Sequence, residues 1–231
     1  MTIKGLQKTT LLDYPEKLAC TIFTAGCNFR CPFCHNASLV LRAGEVDEIP
    51  EKDLLSYLEK RGGLLDGVCI TGGEPLLNPD IEELIVKIRS YGLLVKLDTN
   101  GAFPERLEAL LDKGLIDYVA MDVKNSDSKY GETVGLGNSF DISVIDRSID
   151  IIMKKAPDYE FRTTVVRELH DLEDLLSIAK KLKDAKKYFL QKYVDSGDVL
   201  ACGYSAYEDA EMLSLYDAVR EVLPVTILRG V

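Results

Sequence analysis

The stretch Gly67–Gly101, GVCITGGEPLLNPDIEELIVKIRSYGLLVKLDTNG, decides how this chain folds. It opens on a short β-rich run, GVCIT (67–71), and closes on another, LLVKLDT (93–99). Residues 80–91 between them carry apolar side chains at helical spacing. Asn78-Pro79-Asp80 reads as the helix start, with proline in the first turn and acidic residues after it. Gly92 sits where a helix C-cap belongs. Strand, helix and strand with short connections form the repeating unit of a parallel sheet wrapped by helices.

The same alternation extends in both directions. Further strands are expected at LACTIFTA (18–25), YVAMDV (118–123), YEFRTTVV (159–166) and KYFLQKY (187–193). Helical patterns fall near 51–61, 104–113, 141–155 and 171–184, with Phe103-Pro104-Glu105 and Gly114 repeating the punctuation. No strand is assigned before residue 18. Six βα units are too few for a closed eight-stranded barrel. The expectation is an α/β fold, an open partial (β/α)6 TIM-like barrel, as a single domain over 1–231. Periodicity alone does not separate this from a doubly wound open sheet. A final helix near 207–222 and the tail VTILRG, together spanning 207–231, close one edge.

Composition narrows the function. The chain has 231 residues, 46% hydrophobic and 29% charged, with a net charge of −10. A nucleic-acid binder needs a concentrated basic face, so that class is set aside. Lys180, Lys181, Lys183, Lys186 and Lys187 do cluster, but with Asp184 among them they read as a solvated helix face. No run approaches the ~20 apolar residues of a membrane span. The opening MTIKGLQKTTLLDYPEK has no long apolar core or small-residue cleavage site, and no secretory signal is read there. Six cysteines in a chain this well stocked with apolar residues fit reduced thiols in a cytoplasm better than disulfides.

Three of those cysteines, Cys27, Cys31 and Cys34, share the loop 26–36, GCNFRCPFCHN. Three is one fewer than a closed zinc site or iron–sulfur cluster takes. Cys20, Cys69 and Cys202 stand alone and do not complete the set. Three thiolates can hold three irons of a cubane and leave the fourth open to a ligand from solution. A three-ligand zinc site, a redox-sensing dithiol and buried structural cysteines are the alternatives.

Polar groups gather at the expected strand ends, where parallel α/β folds place active sites. Thr71-Gly72-Gly73-Glu74-Pro75 follows the second strand, Asp98-Thr99-Asn100-Gly101 ends the third and Asp122-Val123-Lys124 ends the fourth. Arg162 lies in the fifth. Singly, Gly-Gly and Asn-Gly are ordinary turns and a terminal Asp or Lys is an ordinary solvated charge. Together, behind a three-cysteine loop, they mark one rim.

The pattern C-x-x-x-C-x-aromatic-C, with Phe33 before Cys34, resembles the signature of the radical S-adenosylmethionine (SAM) enzymes. That resemblance implies a [4Fe–4S] cluster on Cys27, Cys31 and Cys34 whose open iron is chelated by SAM. It implies reductive cleavage of SAM to a 5′-deoxyadenosyl radical that takes a hydrogen atom from a substrate. Gly72, Gly73 and Glu74 resemble the family's GGEP motif at the methionine end of SAM. Pro32 and Phe33 would offer an apolar surface near the adenine. Thr99, Asn100, Lys124 and Arg162 would contribute polar contacts. In related activating enzymes the aspartates matching Asp98 and Asp122 help coordinate a monovalent cation beside the SAM carboxylate, which extends to this chain by analogy. His35 and Asn36 continue the loop; His35 reads equally as a hydrogen-bond donor to a cluster ligand or an ordinary loop residue. His170 reads as a capping or surface residue.

The opening GLQKTTLLDYPEKLACTIFTAGCNFRCPFCHN (5–36), with TGGEP, DTNG and YFLQKYVDSG, closely resembles the activating proteins of anaerobic ribonucleoside-triphosphate reductase. Those proteins, like the pyruvate formate-lyase activating enzymes, make a glycyl radical on a large partner. The implied partners are a glycyl-radical protein and an external flavodoxin or ferredoxin, since no further cysteine cluster supplies electrons. The glycine-rich segment 124–140 is expected to form a lip at the partner's entrance. Two departures stand out: Glu16 occupies a position that often holds glycine, and Gln191, Lys192 and Tyr193 stand where some activators place a SAM-contacting histidine. A small-molecule radical SAM enzyme of the 7-carboxy-7-deazaguanine synthase kind is the main alternative. A non-enzymatic iron–sulfur carrier or redox sensor is the alternative of another class.

Overall fold

The computed structural model describes residues 1–61 and 63–231, Asn138 by its backbone alone. Its elements run β1 (Ile3–Thr10), β2 (Ala19–Thr24), α1 (Ala37–Leu41), α2 (Glu51–Arg61), β3 (Gly67–Gly72), α3 (Ile81–Arg89), β4 (Leu94–Thr99) and α4 (Pro104–Asp112). They continue β5 (Tyr118–Asp122), α5 (Tyr130–Thr133), α6 (Ser143–Lys155), β6 (Asp158–Val165), α7 (Leu172–Lys181), β7 (Tyr188–Lys192), α8 (Asp209–Val222) and β8 (Thr226–Arg229). All strands lie in one eight-stranded sheet in sequence order. From β2 to β8 the pairing is parallel; β1 runs antiparallel to β2. The sheet does not close, and β1 and β8 are its edges. The partial barrel expected from the sequence is therefore present, in place of a doubly wound sheet.

Two faces of each strand have different fates. Val68, Ile70, Val95, Leu97, Val119, Met121 and Phe161 are buried toward the helices. Helix α3 answers with Ile81, Leu84, Ile85 and Ile88, all buried. Each such side chain stabilises the fold by about 1.5–3 kcal/mol. The alternate residues face inward. At the lower end, Tyr14, Ala19, Tyr118 and Ala120 form a separate buried cluster with Leu94 against it, so the barrel floor is packed with side chains. Above that floor the inward positions become polar.

The β1 strand escaped the sequence reading for a physical reason. Its residues alternate poorly, only Ile3 and Thr10 are buried, and its pairing with β2 shifts register twice. An edge strand exposed along much of its length carries little hydrophobic period. Proline also sits differently at two helix starts: Pro104 opens α4, whereas Asp80 is the N-cap of α3 and Pro79 precedes the helix. The lysine-rich stretch is a surface of ion pairs, Lys181 with Asp127 and Asp146, and Lys187 with Asp158. Among the described residues no helix is long and apolar enough to cross a membrane.

Candidate active site

The cysteine loop leaves the end of β2 and is held there by the turn after β3. Gly73 N–H donates to Thr24 O (2.9 Å) and Glu74 N–H donates to Gly26 O (2.8 Å). This contact is too close for side chains. A Cβ on Gly73 would lie 1.8 Å from Gly26 O, and one on Gly72, whose φ is +112°, 2.4 Å from Thr24 N. Bare glycine is required by backbone meeting backbone. Asn36 Nδ2 ties the far side of the loop to Gly72 O (3.0 Å).

Glu74 sits beneath this turn, fully buried. Its Oε1 accepts from Leu76 N–H and Thr99 Oγ1 (each 2.9 Å), and its Oε2 accepts from Asn100 N–H (2.7 Å). Burial pushes its pKa up to about 7 despite these donors, which pull the other way. Both oxygens are taken, so the carboxylate acts as a tie between the TGGEP and DTNG turns. Asn100 carries the tie onward: its Nδ2 donates to Asn28 Oδ1 (2.9 Å) and lies 3.7 Å from Cys27 Sγ.

Cys27, Cys31 and Cys34 all line one cleft of about 870 Å³, with Phe33, His35, Gly72, Gly73, Asp98, Thr99, Asn100, Asp122, Lys124 and Arg162. The structure thus gathers the rim residues expected from the sequence, with Glu74 behind them. Phe29 N–H donates to Cys27 Sγ (3.3 Å). Burial pushes the Cys27 thiol up, and the Cys31 thiol up to about 12; the Lys124 ammonium opposes both shifts. Metal binding therefore has to displace protons from these two sulfurs. Among the described residues no three His, Cys, Asp or Glu side chains converge on a single-ion position. Cys20 and Cys69 are buried in strands and Cys202 is exposed.

Below the thiols runs a ladder of charge. Arg162 Nε donates to Asp122 Oδ1 (2.8 Å) and its NH1 to Asp98 Oδ2 (3.1 Å). Lys124 Nζ donates to Asp122 Oδ2 (2.9 Å), and Lys96 Nζ pairs with Asp98 Oδ1. Burial raises the pKa of both aspartates, but Arg162 first, then Lys96 for Asp98 and Lys124 for Asp122, outweigh it and hold both below the usual range. Glu160, 2% exposed, closes the ladder between Arg162 and Arg229 and accepts from Tyr118 Oη (2.9 Å).

Lys96 and Glu160 lie inside their strands, away from the strand ends where polar residues point to a site. The signal was present: Lys96/Asp98 and Glu160/Arg162 are charged pairs at period 2 inside otherwise apolar parallel strands. His170, expected at the surface or as a cap, is buried; its Nε2 lies 2.8 Å from Lys124 O, and Asp171 caps α7. Packing decided this, since the imidazole fills the space behind the Lys124 backbone. Gln191 and Lys192 line the cleft, while Tyr193 is buried outside it. The segment 124–140, beyond Lys124, does not line the cleft. It packs behind the cysteine loop instead, with Val134 O accepting from Arg30 N–H (2.8 Å) and Phe140 against Phe29 and Tyr130. A second clasp comes from the β7–α8 connection, where Asp198 Oδ2 accepts from Ser38 Oγ (2.7 Å) and Ala201 N–H donates to Pro32 O (2.9 Å).

The model of the radical SAM superfamily matches residues 21–172, from the strand before the cysteine loop to the first residue of α7. This chain belongs to the radical SAM superfamily. A protein of Methanocaldococcus jannaschii, named as a candidate glycyl-radical enzyme activating enzyme, is 37% identical to this radical SAM enzyme over 198 residues. The match covers 83% of this chain and 79% of the relative. A Staphylococcus aureus pyruvate formate-lyase-activating enzyme is 28% identical over 195 residues, covering 76% of this chain and 74% of its own. Among solved structures, Streptococcus suis SuiB bound to precursor peptide SuiA superposes with a TM-score of 0.71 at 16% identity. That likeness is one of fold. It covers 91% of this chain and 48% of SuiB, so the present chain spans about half the length of that protein. Membership in the superfamily implies a [4Fe–4S] cluster and SAM, and the three-thiol loop in a mixed-charge cleft fits both.

Proposed function

We propose that this protein activates a glycyl-radical enzyme, most specifically an anaerobic ribonucleoside-triphosphate reductase. The cluster on Cys27, Cys31 and Cys34, when reduced by an external flavodoxin or ferredoxin in a reducing cytoplasm, supplies the electron that splits SAM. The radical so formed takes a hydrogen atom from a backbone glycine of the partner.

The observation that carries this reading is the open flank of the barrel. The cleft reaches from the cysteines to the gap between the two sheet edges, lined there by Gln7, Leu11 and Leu12 on one side and Val194, Arg229 and Gly230 on the other. Leu11, Leu12 and Val194 are 72%, 89% and 67% exposed. Apolar side chains around a lateral mouth suit a polypeptide entering from the side. The likeness to named activating enzymes over most of the chain supports the same reading. So does the Asp-Tyr-Pro opening: Tyr14 plugs the barrel floor, and Asp13 accepts from Thr21 Oγ1 (2.5 Å). Glu16, where relatives often carry glycine, has a φ of +61°, so the turn keeps the glycine conformation without the glycine.

The test is anaerobic reconstitution, reduction, and mixing with SAM and the anaerobic ribonucleotide reductase of the same genome. An EPR doublet of a glycyl radical on the large protein is expected. Formation of 5′-deoxyadenosine without that doublet, with a competent reductase, would transfer the proposal to another glycyl-radical partner or to a small-molecule substrate.

A further inference from the structure

Lys96 is a charged side chain in the middle of a parallel strand, 2% exposed. An ammonium this deep is costly to desolvate, and it persists only where neighbouring groups compensate it. Its surroundings are specific. Besides Asp98 Oδ1, Nζ lies 3.8 Å from Cys69 Sγ and 5.9 Å from the centre of the Tyr118 ring. The second oxygen of Asp98 accepts from Arg162 NH1 (3.1 Å) and Thr71 Oγ1 (3.3 Å). The two oxygens of Asp122 accept from Arg162 Nε (2.8 Å) and Lys124 Nζ (2.9 Å). Every oxygen of both aspartates therefore meets a fixed cation of the protein.

These are the two carboxylates that, by resemblance to activating enzymes, would help hold a monovalent cation beside SAM. The residues present do not fit that ion. Asp98 and Asp122 already face three cations, Lys96, Arg162 and Lys124, while Glu160 lies between Arg162 and Arg229 and Asp13 lines the same cleft beside Thr21. A further cation would have to displace one of these fixed cations from an aspartate oxygen, in a partly desolvated site where like charges repel strongly.

We propose that Lys96 is a built-in counter-ion: its ammonium replaces the monovalent metal ion beside Asp98, so that this protein binds SAM without sodium or potassium. Lys96 is a positioning residue in this scheme. It sets the charge and orientation of Asp98 and Arg162 and touches neither cluster nor ligand. The inference rests on SAM binding and on the resemblance of Asp98 and Asp122 to the cation-holding aspartates of activating enzymes; its test reads SAM affinity alone, so failure of the partner assignment does not decide it.

The test reads SAM affinity from the SAM-induced change in the EPR signal of the reduced, reconstituted protein. Titrations run in potassium, sodium and tetramethylammonium chloride at equal ionic strength. Wild type is expected to give affinities within about twofold of one another in the three salts. Lys96→Ala, which leaves room for an ion, is expected to bind SAM at least ~10-fold more weakly in tetramethylammonium and to recover in potassium or sodium. Lys96→Arg is expected to stay indifferent to the salt. A wild-type affinity that rises saturably with potassium or sodium overturns the proposal. So does a Lys96→Ala protein that is unimpaired, or impaired equally in every salt, because the lysine would then be only structural. If Lys96→Ala does not load iron, the wild-type and Lys96→Arg titrations decide by the same criteria.

Discussion

The two halves of the rim are held together by different physics. From β2 to β4 the cysteine loop and the TGGEP turn meet backbone to backbone, with glycine at the closest approach, and the buried Glu74 carboxylate ties that turn to the DTNG turn. From β4 to β8 the rim is fastened by side-chain charge, alternating from Lys96 to Arg229. A backbone junction tolerates almost no change in shape, and the carboxylate beneath it is shielded from salt by its burial. Charge fastening tolerates shape but depends on every partner being present, because an orphaned buried charge costs more than the pair gains. The three thiols proposed to hold the cluster sit on the rigid half; the groups suited to the carboxylate end of the ligand sit on the charged half.

Substitutions should expose that difference. The largest effect is expected for Cys27→Ala, Cys31→Ala or Cys34→Ala, each abolishing SAM cleavage, as read by 5′-deoxyadenosine formation. Replacing Cys20, Cys69 or Cys202 should leave the iron content unchanged. Next comes Gly73→Ala, whose methyl would collide with Gly26 O. It should lose more than ~4 kcal/mol in chemical denaturation and load little iron. A Gly73→Ala protein of normal stability would show that the backbone junction is softer than described.

Arg162→Met strikes the charged half: it removes the cation shared by Asp98 and Asp122 and leaves each with one lysine. A loss of about 3–5 kcal/mol is expected. The same pair predicts an acid response. Both carboxyls are held below the ordinary range in the fold, so their contribution is present above about pH 4 and fades as pH falls below it. Arg162→Met should flatten that acid limb of the stability profile, and an unchanged limb would assign it to other groups. Glu74→Gln keeps the shape but turns one acceptor into a donor facing N–H or O–H groups, and about 1–3 kcal/mol should be lost. The smallest change is a gain: Glu16→Gly relieves a left-handed turn and should add about 1 kcal/mol, visible as a higher urea midpoint.

The contrast between the halves also explains what was legible in the sequence. Backbone contacts demand particular residue types at particular spacings, and Gly72-Gly73 or Cys27–Cys31–Cys34 can be read as such. A charge ladder demands only that opposite signs meet. Arg162 and Asp98 lie 64 residues apart, and nothing local marks them as partners. His170 shows the same limit from the other side: its sequence context, just before a helix, says surface, while the helix packing makes it interior. Segment 124–140 looked like a free lip because glycine and polar residues are common in mobile loops. Instead Val134 and Phe140 back the cysteine loop, and Asn125 and Ser126 are tied to Leu169 O and Asp174.

The sequence by itself determined the alternation of strands and helices, the parallel sheet that follows from it, and the cysteine loop with its glycine-bearing turn. These are local properties, carried by periodicity, by the φ angles glycine allows and by the ligand spacing of thiols. Only the tertiary structure decided that an irregular N-terminal strand joins the sheet antiparallel, and that Lys96 rather than bulk solvent faces Asp98. Those outcomes depend on which side chains share one interior. Burial and Coulombic pairing act across space, and their strength is set by neighbours that the order of residues does not name.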